Sequence, residues 1–252
     1  LSHLGVAREL GIITKQNISR KEFDLKEDAG NIDDIISVNI NVPDACPRYV
    51  TRIVKDLKVG PSPKWLIERL ESIGFKSINN VVDSANYVLM NTGHPMHTFD
   101  LHKIAGDTIN VRFANKGEKF ITLDNVERKL DDFHLLICDK KNPVALAGIM
   151  GGLNSEITTT TTDVLIESAY FDPKIIRKGS KALDLSTEES RRFERDTDIE
   201  ALIPAIDELA YLMQELAGGT ILKGIVDEYP KKIQKNSIIF SPEKCNSFLG
   251  IH

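Results

Sequence analysis

The chain has 252 residues, 41% of them hydrophobic, which is enough to bury a core as one large domain or two smaller ones. A formal net charge of −5 excludes a surface that coats nucleic acid along its length, but leaves room for local contact with a nucleic-acid end. Three widely spaced cysteines, Cys46, Cys138 and Cys245, exclude a disulfide framework and a CxxC zinc site and point to a reducing, cytoplasmic setting, and no apolar run approaches the roughly 20 residues that span a bilayer.

The chain opens on Leu1 with no charged-then-apolar leader, as expected of a piece of a longer protein. Residues 1–14 read as a helix, with Leu4, Ala7, Leu10 and Ile13 at helical spacing. Residues 15–36 are charged, carry few large apolar groups and read as a linker. "RYVTRIVKDLKV" (48–59) alternates with period two and predicts a strand. A helix follows, with Ser62 as cap, Pro63 at its first position, Leu66, Leu70 and Ile73 on one face, and Gly74 as its end. "DSANYVLMNTG" predicts a second helix, from a cap at Asp83 to a stop at Gly93. "GHPMHTFD" (93–100) is then the loop leaving it.

Strands dominate 108–170. "TINVRFA", a hairpin turning near Asp124 and Asn125, "FHLLICD", "PVALAGIM" and "DVLIESAYF" each carry the pattern. The five threonines at 158–162 read as a loop entering the last of these. Asp172 and Pro173 start a helix, and Ser186 and Glu189 have capping-box spacing for another. The longest helix covers 199–217, with Pro204 marking a bend or a late start, and residues 221–240 return to strand. Short helices, a block of strands, then helices predict an α+β fold of mixed or antiparallel sheets packed with helices.

Few residues carry chemistry by pattern alone. His94 and His97 flank a proline off any helix face and lack further ligands nearby in sequence, so a metal site is disfavoured against ordinary hydrogen bonding or solvation. No GxSxG or diagnostic cysteine setting supports a nucleophile, which leaves an activated water for any hydrolysis. "ALAGIMGG" (145–152) is either a bulge or turn, or a place where a ligand approaches the backbone closely. Glu167 shares a strand face with Leu165 and Ala169. A carboxylate there is costly unless it pairs with a cation or reads a ligand hydroxyl, and both readings stand. Arg177, Lys178, Lys181, Arg191, Arg192 and Arg195 form either a solvated helix surface or a modest RNA-facing patch.

"NYVLMNTGHPMHTFD", "ALAGIMGG", "VLIESAYFDP" and "STEESRRFERDTD", in this order, resemble the B3/B4 region of the bacterial phenylalanyl-tRNA synthetase β-subunit family. The resemblance covers nearly the whole chain. It implies a tail of the preceding domain (1–36), a B3/B4-like editing domain (37–235) and the start of a B5-like domain (236–252). It also implies hydrolysis of tyrosine wrongly attached to tRNA(Phe), with aminoacylation on a partner α subunit in an α2β2 heterotetramer. No cofactor or metal is expected in this piece, ATP and Mg belonging to the full α/β enzyme. By the same resemblance, His97 is the editing histidine, Glu167 reads the phenol, and Asn86, Pro95, Gly148, Gly151 and Thr187 line the substrate pocket. Four residues depart from relatives: His94 is often glutamine there, and in some relatives Glu189 is alanine, Lys76 arginine and Ala85 threonine. A scaffold that holds tRNA and the partner subunit, with weak or lost editing, is the competing expectation.

Overall fold

The computed structural model describes residues 2–19, 21–234 and 236–251, with Ala29 described for its backbone alone. Helix α1 (His3–Thr14) forms where expected, capped by the Ser2 hydroxyl accepting from the Gly5 N–H, and leaves Leu10 and Ile13 exposed. The stretch 15–36 is more than a linker. Strand β1 (Glu27–Asn31) within it joins the main sheet, and Glu27 receives the Arg52 guanidinium at 2.7 Å. Its sequence, "EDAGN", has no apolar alternation because an edge strand held by backbone bonds and a charge pair needs none. After β2 (Ser37–Ile40), strand β3 (Arg48–Lys55) is buried on both faces, so its polar positions are covered as well.

Helix α2 (Lys64–Glu71) is flanked by Pro63, while Ser62 donates to Asp83 instead of capping. Helix α3 (Asn80–Thr92) starts earlier than expected, because Asn79 accepts from the Val81 and Val82 N–H groups. Asp83, expected as the cap, is a buried acceptor for Ser62, Ser77 and the Ile78 N–H. Gly93 ends α3 at φ +80°, a left-handed conformation that favours glycine.

The expected loop at 93–100 is mostly strand. After the turn at Gly93, β4 (Met96–Asp100) pairs antiparallel with β11 (Val164–Tyr170). Between them in sequence come β5 (Thr108–Phe113), a hairpin of β6 (Lys119–Ile121) and β7 (Glu127–Lys129), β8 (Leu135–Cys138), β9 (Pro143–Leu146) and the short β10 (Met150–Gly151). Helix α4 (Pro173–Ala182) is capped by Asp172 as expected. Helix α5 (Glu188–Phe193) and α6 (Leu202–Ala217) follow, α6 starting late so that Pro204 lies in its first turn. Of the strand expected over 221–240, β12 (Thr220–Lys223) and β13 (Val226–Glu228) form, and no strand occurs among the described residues of 229–240. Helix α7 (Pro242–Leu249) closes the chain with Phe248 and Leu249 exposed.

The strands make a larger sheet, β1-β12-β3-β11-β4 with β13 also on β3, and a second sheet, β10-β9-β8-β5-β2. Both mix parallel and antiparallel pairs, as the α+β expectation allows. Alternation along β3 and β11 divides the core. Val50, Val54, Val164 and Ile166 pack with α3 and α6, whereas Tyr49, Ile53, Leu165 and Ala169 pack with the second sheet. Glu167 belongs to the second set and faces the space between the sheets.

Candidate functional site between the sheets

Antiparallel pairing of β4 with β11 sets His97 directly opposite Glu167. On the other side of β11, Tyr49 projects from β3 and donates its hydroxyl to Glu167 Oε2 at 2.9 Å. Thus a strand, not a loop, places the histidine, and its distance from Glu167 is fixed by sheet register.

Five of the residues singled out in the sequence, Pro95, His97, Gly148, Gly151 and Glu167, line one inner pocket, together with Glu189 and Phe193. The pocket has a volume of about 10 Å³, space for roughly one water. An outer cleft of about 300 Å³ adjoins it and contains Asn86, Ala85, Leu123 and Glu156. Met96, His97 and Glu189 line both spaces. Thr187 lines neither. It donates to the Ile149 carbonyl at 2.8 Å and accepts from the Ser190 N–H, so it fastens α5 against the glycine turn.

The two glycines act differently. Gly148 turns the chain at φ +63°, packed against Phe171, Phe193 and Ile176. A Cβ on Gly151 would clash with Cε1 and Nε2 of the His97 imidazole, so this glycine makes room for the ring. The Ile149 and Gly152 N–H groups donate to the Leu146 and Val144 carbonyls, which leaves neither for a substrate oxygen.

Burial raises the Glu167 pKa to about 8; the Tyr49 hydrogen bond pulls it back and the charge of Glu189 pushes it further up. Glu189 is raised to about 7 by burial. Burial lowers His97 to about 4, so its ring is neutral at pH 7, with one nitrogen to donate and one to accept. His94 is also lowered to about 4; both its ring nitrogens are buried without a protein hydrogen bond, and its ring packs edge-on against Phe193. Among the described residues, no group of three or more His, Cys, Asp or Glu is gathered to hold a metal ion.

Sequence reasoning missed Tyr49 and the orientation of Glu189. A tyrosine on an apolar strand face needs a buried partner for its hydroxyl, and that need was the available signal. The expected capping box of Ser186 and Glu189 is instead Thr187 with Ser190. The one-residue shift matters: Glu189 no longer folds back on its helix but faces the pocket.

The B3/4 domain family model matches residues 45–218, more than half of the sequence. The chain belongs to the B3/4 domain family. This B3/4 domain is 47% identical over 251 residues to the phenylalanine–tRNA ligase β subunits of Geobacter metallireducens and Geobacter sulfurreducens. The β subunit of Carboxydothermus hydrogenoformans is 45% identical over the same length. Each alignment covers all of this chain but 31% of the relative, so the B3/4 chain spans about a third of the β subunits it matches and is the counterpart of one region of them. The crystal structure of an N-terminal fragment of the phenylalanyl-tRNA synthetase β subunit from Pyrococcus horikoshii shares the fold. The TM-score is 0.51 at 16% identity, over 98% of this chain and 67% of that one.

Proposed function

We propose that this region serves a phenylalanine–tRNA ligase as a post-transfer editing site that hydrolyses tyrosyl-tRNA(Phe). The observation that carries the reading is that Glu167, His97 and Gly148 line one pocket, with a neutral carboxyl buried on an otherwise apolar face. Tyrosine differs from phenylalanine by one hydroxyl, and an apolar synthetic pocket rejects an added hydroxyl only ~10²-fold. A second site that hydrogen-bonds the hydroxyl sorts the other way, because phenylalanine leaves its polar partner unpaired.

In this mechanism the phenol reaches Glu167 and the ester carbonyl lies beside His97. An aminoacyl ester is already activated, so holding water in line with the carbonyl supplies much of the rate. Neutral His97 orients that water through its accepting nitrogen. The tRNA 3′ end enters by the outer cleft past Asn86. The partner α subunit, an α2β2 assembly and a cytoplasmic setting complete the proposal, with ATP and Mg used only in aminoacylation by the whole enzyme. Among the described residues no helix is long and apolar enough to cross a membrane.

One observation favours a second reading, a scaffold with weak editing. The inner pocket holds about 10 Å³, so a phenol ring reaches Glu167 only after lining side chains move. Deacylation of tyrosyl- and phenylalanyl-tRNA by the full-length enzyme separates the two. Editing predicts a tyrosyl preference that Glu167→Ala removes. No hydrolysis by the unaltered enzyme supports the scaffold.

A further inference from the structure

Glu189 is the acidic side chain at the junction of the inner pocket and the outer cleft, lining both beside His97. Its position follows from the caps of α5. Thr187 and Ser190 close the capping box, and Thr187 is fastened to the Ile149 carbonyl, which turns Glu189 inward. Its neighbours are neutralised: Glu188 pairs with Arg191 and Arg192, and Glu194 with Arg195. Among the described residues, Glu189 has no such cation and no side-chain hydrogen bond, and burial raises its pKa. A half-buried carboxylate without a partner is costly, and a cationic ligand group would remove that cost.

We propose that Glu189 receives the α-ammonium group of an aminoacyl ester whose side chain points toward Glu167 and whose carbonyl lies beside His97. The inference rests on the editing reading and deepens it by naming the substrate class: esters of amino acids with a free α-ammonium. Esters whose α-nitrogen is acylated or absent cannot form the pair. A site of this kind would clear mischarged aminoacyl-tRNA and spare N-acylated forms such as peptidyl-tRNA. His97 lies on the same wall, so anchoring the ammonium at the neck also orients the ester against the imidazole.

The test uses the full-length enzyme with tyrosyl-tRNA, its N-acetyl derivative and the 3-(4-hydroxyphenyl)propanoyl ester that lacks the nitrogen. The unaltered enzyme is expected to prefer the free amine in kcat/KM. Glu189→Gln, isosteric and uncharged, should lower kcat/KM for the free-amine ester about tenfold to a hundredfold, bringing the three rates together. Glu189→Asp should keep part of the preference, which a merely structural role would not predict. A free-amine preference that survives Glu189→Gln in full overturns the inference; if Glu167→Ala still removes the tyrosyl preference, the editing reading stands without it. An unaltered enzyme that cleaves none of the esters overturns both.

Discussion

His97 and Glu167 are directly paired in register across β4 and β11, with Tyr49 bonded to Glu167 from the next strand. Residues on three adjacent strands therefore share one sheet face, and the separation of acid and imidazole is set by the sheet itself. An acid held neutral by burial, with its tyrosine partner, needs its environment intact to keep that state.

Tyr49→Phe is expected to destabilise the domain by about 1–2 kcal/mol, because it leaves Glu167 buried without its donor. It should also raise the Glu167 pKa further, since the tyrosine bond holds it down. Denaturant unfolding measures the first effect and carboxyl-carbon NMR titration the second. An unchanged titration would remove Tyr49 from the account.

Gly151→Ala is expected to displace the His97 ring while the fold survives. A stability loss of about 1–3 kcal/mol is typical of such overpacking. Under the proposed editing function, ester hydrolysis by the full-length protein should fall more steeply than the loss of folded protein alone would explain. Equal activity per folded molecule would argue that the position of the imidazole is unimportant.

His94→Leu is expected to be neutral or mildly stabilising, since it removes two buried ring nitrogens that lack protein partners. Under the proposed editing function, hydrolysis should remain, in contrast to His97→Ala. Melting temperature and a deacylation assay on each variant check the pair.

Stability is expected to fall as pH rises from about 6.5 to about 8. Glu167 has a folded pKa of about 8 against an ordinary 4.5, so the folded state keeps a proton that the unfolded chain releases, and stability is lost across that interval. Glu189 acts the same way up to about 7. His94 and His97 act oppositely: their folded values near 4, below the ordinary 6.5, cost stability as pH falls through that range. The opposing slopes partly cancel below 6.5, and above it the carboxyls act without opposition. Denaturant midpoints across this range should show the fall, and Glu167→Gln should flatten it.

Arg52→Leu is expected to cost about 2 kcal/mol, a figure below that for fully buried pairs because both partners are part-exposed. Arg52 joins Glu27 of β1, Asp207 of α6 and the Gly224 carbonyl. Hydrogen exchange should increase first at β1 and β12, where this tie holds the sheet edge.

The sequence determined most of the elements, because the signals for them are local. The Asp172 cap, the glycine stop at Gly93 and alternation along 164–170 act within a few residues. It also placed Glu167 on an apolar face, since period two fixes which side chains share a side. Tertiary structure decided the rest. β1 exists through pairing with β12 and a distant arginine, neither visible in "EDAGN". Asp83 and Asn79 both have cap chemistry, and only the approach of Ser62 and Ser77 assigns Asp83 to another task. The same holds at the site. His97 meets Glu167 through register between strands some seventy residues apart, and Glu189 faces the pocket because Thr187 found a carbonyl on a neighbouring turn. Local propensity is set by a residue's own backbone and near neighbours. The state of a buried acid is set by whatever the fold packs around it.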